Sequence, residues 1–128
     1  MAIAKAASEK KGVDIVIIDM RKMSSLGEYF IITSGTSAPQ VKAICEHIIE
    51  RLKDLGFRPW HREGDLGDPI WIVLDYGDVV VHIFHEETRT FYNLERLWGD
   101  APQRRFRPTA RKKNVYAKRG KTGNKRGA

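Results

Sequence analysis

Residues Ile70–Phe84 read IWIVLDYGDVVVHIF, and this stretch decides the fold. Two apolar runs flank the tetrapeptide DYGD, whose glycine and aspartates are typical of a β-hairpin turn. We predict that Asp75 lies opposite Asp78 and that the pairing continues outward along both runs. The pairs are then Leu74 with Val79, Val73 with Val80, Ile72 with Val81, Trp71 with His82 and Ile70 with Ile83.

The two faces of this hairpin differ in composition, because side chains alternate between the faces of a strand. One face is aliphatic and consists of Ile70, Ile72, Leu74, Val79, Val81 and Ile83. The other carries aromatic and polar side chains, namely Trp71, Val73, Val80, His82 and Phe84. We expect the aliphatic face to be core packed against helices. The second face has a composition enriched at the centres of protein interfaces, so either a partner protein or another helix of this chain covers it.

Further strands are predicted on the N-terminal side of the hairpin. Asp14–Asp19 (DIVIID) is a continuous aliphatic run of the kind covered on both faces, and Tyr29–Thr33 (YFIIT) is a second β-branched run. Phe57–Arg62 is expected to be a short edge strand, since Pro59 cannot donate to a ladder. A short helix over Ile3–Lys11 is expected before the first strand.

A longer helix is predicted between the second strand and the edge strand. Ser37 is its expected N-cap, with Gln40 at the capping-box spacing and Pro39 in the first turn. Gly56 is expected to end it. The apolar residues that recur at helical spacing are Val41, Ile44, Cys45, Ile48, Leu52 and Leu55.

The segment Thr90–Trp98 (TFYNLERLW) predicts a last helix, ended by Gly99. Its expected buried stripe is Phe91, Leu94, Leu97 and Trp98, with Tyr92 and Glu95 on the opposite flank. Together these elements predict an α/β fold, with a mixed five-stranded sheet and flanking helices in a single domain over residues 1–103.

The charge of the chain is divided unevenly. Of 23 basic residues, eleven lie between Arg104 and Ala128, where no acidic residue occurs, so residues 1–103 hold twelve basic and all 16 acidic residues. Residues 104–128 contain few large apolar side chains and are predicted to be a basic disordered tail. No apolar run approaches the ~20 residues of a membrane span, and residues 1–11 lack a secretory apolar stretch, so we expect a soluble cytoplasmic protein.

The residues that could carry chemistry do not form a convincing catalytic or metal site. Cys45 is the single cysteine and lies on a predicted apolar stripe, where a buried thiol is expected. His82, His85 and Glu86 are close in sequence but lack the paired spacing of a zinc site. Ser34–Ser37 could approach a phosphate, yet no D-x-D pair follows for the metals of nucleotidyl transfer. We therefore predict no enzyme, metal or cofactor.

Five segments in order resemble the ribosomal silencing factor family, also called the Iojap family. They are DIVIIDM, EYFIITSGTSAPQVKAI, REG, WIVLDYGDVVVHIF and R-x-FYNLERLWGDA, which span roughly Val13 to Ala101. The resemblance implies a nucleotidyltransferase-like α/β fold without that activity. It also implies a translational repressor that binds the large ribosomal subunit through ribosomal protein L fourteen and blocks joining of the small subunit when nutrients are scarce.

The same resemblance implies a partner-facing surface on this chain. The positions that match the family pattern are Trp71, Asp75, Tyr76, His82, Arg89, Tyr92 and Glu95. Among them Trp71 is the expected anchor, since a desolvated aromatic side chain at an interface centre typically contributes at least ~2 kcal/mol.

Nucleic-acid binding is the alternative function, because a run of cations without anions neutralises phosphates. In this reading the chain is a ribosomal-RNA-binding or ribosome-assembly factor acting through its tail. The residues expected to contact RNA are Arg104, Arg105, Arg107, Arg111, Lys112 and Lys113.

Overall fold

The computed structural model describes residues 2–23 and 27–107, which form a mixed α/β domain. In chain order the elements are α1 (Ala2–Glu9), β1 (Val13–Asp19), β2 (Tyr29–Gly35), α2 (Ala38–Asp54), β3 (His61–Glu63), β4 (Trp71–Asp75), β5 (Val79–His85), α3 (Glu86–Tyr92), α4 (Leu94–Leu97) and β6 (Gln103–Arg105). The strands form one sheet in the order β3-β4-β5-β2-β1-β6. β2 and β5 pair in parallel and the other neighbours pair antiparallel.

Helices α1 and α2 cover one face of the sheet. The predicted cap of α2 is confirmed, because the Ser37 side chain accepts a hydrogen bond from the Gln40 backbone N–H at 3.2 Å. Five of the six residues on the predicted α2 stripe are buried, whereas Leu55 follows the helix and is 59% exposed. The sheet residues beneath the helices are aliphatic: Ile15, Ile17, Ile31, Ile72, Leu74, Val81 and Ile83. This layer is the main core.

The opposite face of the sheet carries a second, more aromatic cluster under the short helices α3 and α4. Its buried members are Val16, Ile18, Met20, Phe30, Ile32, Val80, Phe84, Leu94 and Ala101. Trp71, Val73 and Trp98 pack against them and remain partly exposed. Two short helices cannot cover the whole face, so the β4 end of this cluster reaches the surface.

The β4–β5 hairpin has the predicted faces but a register two residues away from the predicted one. Trp71 pairs with Phe84, not with His82, and Asp75 pairs with Val80. The reason lies in the turn: the Tyr76 N–H donates to the Val79 carbonyl at 2.9 Å, so the central residues follow Tyr76. The first of them, Gly77, has φ +90°, which a type II′ turn requires there. A shift of two preserves the faces, although Ile70 is outside the strand and 57% exposed.

Two other expectations about elements are wrong. The predicted helix Thr90–Trp98 is two helices joined at Asn93, whose φ of 47° and ψ of 61° lie in the left-handed region. Within the described residues the sheet has six strands, one more than expected, and the boundary predicted between residues 103 and 104 falls inside β6. Arg104 and Arg105 instead pair with Ile17 and Val16 of β1.

Candidate functional site

The Trp71 side chain is held at the open end of the aromatic cluster by three neighbours. Its ring centroid lies 4.8 Å from that of Phe84 in a stacked arrangement and 4.7 Å from that of Tyr92. Its indole N–H donates a hydrogen bond to Nδ1 of His82 at 3.2 Å. The indole is half-buried and Tyr92 is 50% exposed, so both rings can contact a partner.

His82 lies beneath Trp71 and is itself only 8% exposed. Its ring packs 4.9 Å from Phe30 and 6.2 Å from Phe84. Burial lowers the pKa of His82 to about 4, so the imidazole is neutral near pH 7. Since Nδ1 accepts from Trp71, the proton of the neutral ring lies on Nε2, for which the described residues offer no hydrogen-bond partner. His82 therefore offers little surface of its own and orients the exposed indole of Trp71 through this hydrogen bond.

Arg89 is also buried, and it fastens α3 to the sheet. Nη1 donates to the Val13 carbonyl at 2.9 Å and to the Ser34 hydroxyl at 3.1 Å, and Nη2 donates to the Asp14 carbonyl at 2.7 Å. Nε and Nη2 both donate to Oε2 of Glu95, at 3.1 and 2.9 Å. All five N–H donors of the guanidinium are therefore used inside the protein.

The carbonyl acceptors of Arg89 belong to an irregular part of β1. The register of β1 against β2 shifts between Val13 and Val16, and Asp14 has φ +45°, an uncommon conformation for a residue with a Cβ. The carbonyls of Val13 and Asp14, at this bulge, are the ones to which Arg89 donates. Arg89 thus joins the start of β1, the end of β2 and the α3–α4 pair in one network.

Asp75 and Tyr76 lie at the hairpin turn, and their side chains have different surroundings. Oδ1 of Asp75 accepts from the Gly77 N–H at 2.7 Å, so this carboxylate stabilises the turn. Tyr76 packs against the core cluster beneath α2, and burial raises the pKa of its phenol to about 12. The structure therefore brings Trp71, His82 and Tyr92 together, joins Arg89 and Glu95 in a separate hydrogen-bonded network, and directs Tyr76 to the opposite layer.

Two apolar residues of α3 and α4 are exposed although the sequence pattern predicted them to be buried, and one of them, Phe91, lies against Tyr92. Phe91 and Leu97 were expected in the buried stripe of the last helix, but they are 81% and 67% exposed. The prediction assumed one helix from Thr90 to Trp98. In the structure α3 instead begins at Glu86, with His85 as N-cap, and is ended by Asn93, so the buried side of the helix is a different one. An asparagine tolerates the left-handed conformation better than most residues, and that was the available signal for the break.

The described part of the predicted RNA-contacting segment lies at the β6 edge of the sheet, opposite the β3 edge. Arg104, Arg105 and Arg107 are exposed, and Nε of Arg105 lies 3.7 Å from Oδ1 of Asp14. Phe106, which follows β6, packs against the core, and its N–H donates to the Ile15 carbonyl at 2.7 Å. The other residues expected to contact RNA, Arg111, Lys112 and Lys113, lie outside the described residues.

Other kinds of site find little support in the part of the chain that the structure describes. Within residues 2–23 and 27–107, no three His, Cys, Asp or Glu side chains are grouped so that they could hold a metal ion. Cys45 is fully buried, and burial raises its pKa to about 12, which disfavours a reactive thiolate. No helix in the same residues has both the length and the apolar character that crossing a membrane requires.

Comparison with known proteins gives a consistent result. A family model described as ribosomal silencing factor during starvation matches residues 1–127. The ribosomal silencing factor of Bacillus subtilis is 42% identical over 99 residues, which are 77% of this chain and 83% of that protein. The chloroplastic Iojap protein of Zea mays is 39% identical over 103 residues, 79% of this chain and 43% of that protein. A crystal structure from Chromobacterium violaceum, 36% identical, has a TM-score of 0.73 and covers 77% of this chain and 81% of that one.

Proposed function

Because the chain belongs to the ribosomal silencing factor family, whose members regulate translation, we propose that it binds the large ribosomal subunit in the cytoplasm and represses translation. The proposed contact is with ribosomal protein L fourteen. The bound protein would occupy surface that the small subunit needs, and the subunits could not join. The proposed role is steric and involves no reaction.

The pre-positioned indole of Trp71 is the observation that carries this proposal. Its rotamer is fixed by Phe84, Tyr92 and the hydrogen bond to His82, while part of the ring stays accessible. A side chain that is already ordered loses little conformational entropy on binding, which makes it an effective interface anchor. Trp and Tyr are the residue types enriched at such anchors.

The seven candidate residues then divide into two proposed roles. Trp71 and Tyr92 are proposed to contact the partner, with Glu95 at the border of the surface. His82, Arg89 and Asp75 are proposed to hold that surface in shape, since each forms side-chain hydrogen bonds within the protein: Nδ1 of His82 with Trp71, Oδ1 of Asp75 with Gly77, and the Arg89 guanidinium with the sheet. Tyr76 faces the α2 layer and supports the hairpin from behind.

The charge of the domain favours a basic partner. Residues 1–103 carry sixteen acidic and twelve basic residues, and ribosomal proteins are generally basic. Complementary charge raises the rate of encounter and selects the partner surface. The acidic excess thus supports a protein contact, and it would oppose a contact of the same surface with RNA.

A subunit-joining assay tests the proposal. Adding the protein to separated ribosomal subunits should lower the joined fraction measured on sucrose gradients, and Trp71→Ala should lose this effect because its affinity falls roughly 30-fold. Leu55→Ala, which alters an exposed apolar residue at the end of α2, is the matched control and should act like the unaltered protein. An unchanged joined fraction with the unaltered protein would contradict the proposal, as would full activity of a folded Trp71→Ala variant.

An auxiliary contact with ribosomal RNA is favoured by one further observation. β6 fixes Arg104 and Arg105 on the exposed edge of the sheet, and eight more basic residues follow Arg107 in the sequence. Such cations would add sequence-independent affinity for phosphates. We propose this contact as an addition to the docking of Trp71, not as a replacement for it.

A further inference from the structure

Phe91 is among the most exposed aromatic residues of the described chain, at 81%, so its ring contributes little to the packing of its own domain. Its ring centroid lies 5.1 Å from that of Tyr92 at an interplanar angle of 85°. Tyr92 in turn lies 4.7 Å from Trp71. The three rings therefore form one continuous aromatic ridge, which runs from β4 onto α3.

The outward direction of Phe91 follows from the way α3 is attached. Successive residues of an α-helix are rotated by about 100°, so two residues apart they point to nearly opposite sides. The buried side of α3 is set by Arg89, whose five hydrogen bonds hold it against the sheet. Phe91, two residues further on, is consequently turned toward solvent.

The charges beside the ridge indicate what kind of surface would cover it. Glu86 and Glu87, in the first turn of α3, are exposed, and no basic side chain among the described residues forms an ion pair with them. Glu87 is four residues before Phe91 and so lies on the same side of α3, which places its carboxylate beside the outer ring of the ridge. An apolar ridge flanked by acidic side chains matches a cationic protein surface that contains an apolar recess. A polyphosphate such as RNA would be repelled by the same carboxylates.

We infer that Phe91 is the outer anchor of the docking surface and inserts into the same basic ribosomal protein that Trp71 contacts. This inference rests on the proposed function and extends it from the sheet face to helix α3. The contact area is then a ridge of three rings, with Trp71 at its inner end and Phe91 at its outer end.

The experiment is a binding titration of purified large ribosomal subunits with labelled protein. Phe91→Ala should weaken binding about tenfold or more, which corresponds to at least about 1.4 kcal/mol, because truncation of an interface anchor removes contacts at the centre of the interface. Its thermal unfolding should be unchanged, because the ring is exposed. Phe91→Leu, which keeps an apolar side chain, should restore part of the affinity. Phe57→Ala is the matched control, since Phe57 is also exposed, at 58%, but follows α2.

The possible results separate the inference from the function on which it rests. Equal affinities of Phe91→Ala and Phe57→Ala, with Trp71→Ala still defective, would overturn the inference and leave the proposed function intact. No binding by the unaltered protein would overturn both. If Phe91→Ala instead weakened binding to protein-free RNA extracted from the large subunit, the partner would be a nucleic acid and the inference would also be wrong.

Discussion

His82 shows how one buried polar side chain can shape an exposed one. Nδ1 of its neutral imidazole accepts a hydrogen bond from the indole N–H of Trp71, and a protonated Nδ1 could not do so, because it would itself be a donor. The aromatic rings of Phe30 and Phe84 around it offer no charge that would stabilise the protonated form. The orientation of Trp71 therefore depends on the protonation state of a group that never reaches the surface.

A pH titration of stability tests this arrangement. Burial lowers the pKa of His82 to about 4 in the folded protein, from its ordinary value of about 6.5. The unfolded chain therefore binds a proton before the folded one does, and stability is lost as the pH falls from about 6.5 to 4. Denaturant unfolding at a series of pH values measures this effect. The free energy of unfolding of the unaltered protein should fall by on the order of 3 kcal/mol over this range because of His82. His82→Phe should show a shallower pH dependence, and parallel curves for the two proteins would contradict the assignment.

Individual contacts of the site differ in how well the sequence predicted them. Ser37 and Gln40 are three residues apart, so a local pattern was enough to predict their cap. The family resemblance assigned Arg89 to the partner-facing surface, but its bonds to the carbonyls of Val13 and Asp14 could not be predicted, because these residues lie 76 and 75 positions away in sequence. No local pattern reports a bond that depends on how the whole chain folds.

At the scale of elements, the break between α3 and α4 determines the direction of the side chains that follow the ridge. Asn93 accepts the left-handed conformation, and its side chain also caps α4 by accepting from the Arg96 N–H at 3.3 Å. The C-cap of α3 and the N-cap of α4 are thus one residue. Were the two helices continuous, the phase of every later side chain would change, and Leu94 could not face the sheet as it does.

Two substitutions at Asn93 separate its roles. Asn93→Ala should lower the free energy of unfolding by about 2 kcal/mol, since it loses the cap and places an alanine in the left-handed region. Asn93→Gly should cost less than about 1 kcal/mol, because glycine adopts that conformation freely and is tolerated as a cap. Chemical denaturation measures both values. Similar losses for the two variants would show that the conformation at this position matters little.

The strands were more predictable than their pairing and their number. The faces of the β4–β5 hairpin followed from alternation alone, and a register error of two residues left them unchanged. The turn could be read either as Tyr76–Gly77 or as Gly77–Asp78, and only the backbone conformation of Gly77 decides between them. β6 was missed because its sequence, QRR, has no apolar alternation and forms a strand only by pairing with β1.

For the whole molecule, the acidic domain and the basic C-terminal segment should contribute to ribosome binding in different ways. A chain that ends at Arg107 keeps β6 and Phe106, so its thermal unfolding should match that of the full chain. Its affinity for large subunits at 50 mM salt should be lower, and the dependence of log K on log salt should be less steep, because fewer phosphates are neutralised. Equal slopes for the two chains would count against the RNA contact.

The position of β6 has a mechanical consequence for a bound molecule. β6 and β4 are separated by β5, β2 and β1, which places the arginine edge about 19 Å from the strand of Trp71. A protein bound through a single contact can rotate about that contact, whereas two contacts this far apart restrict its rotation. If both the Trp71 contact and the arginine contact form, the second one forms within the complex and therefore at a high effective concentration. The domain would then bind the ribosome in one fixed orientation. The side on which it blocks the small subunit would be fixed as well.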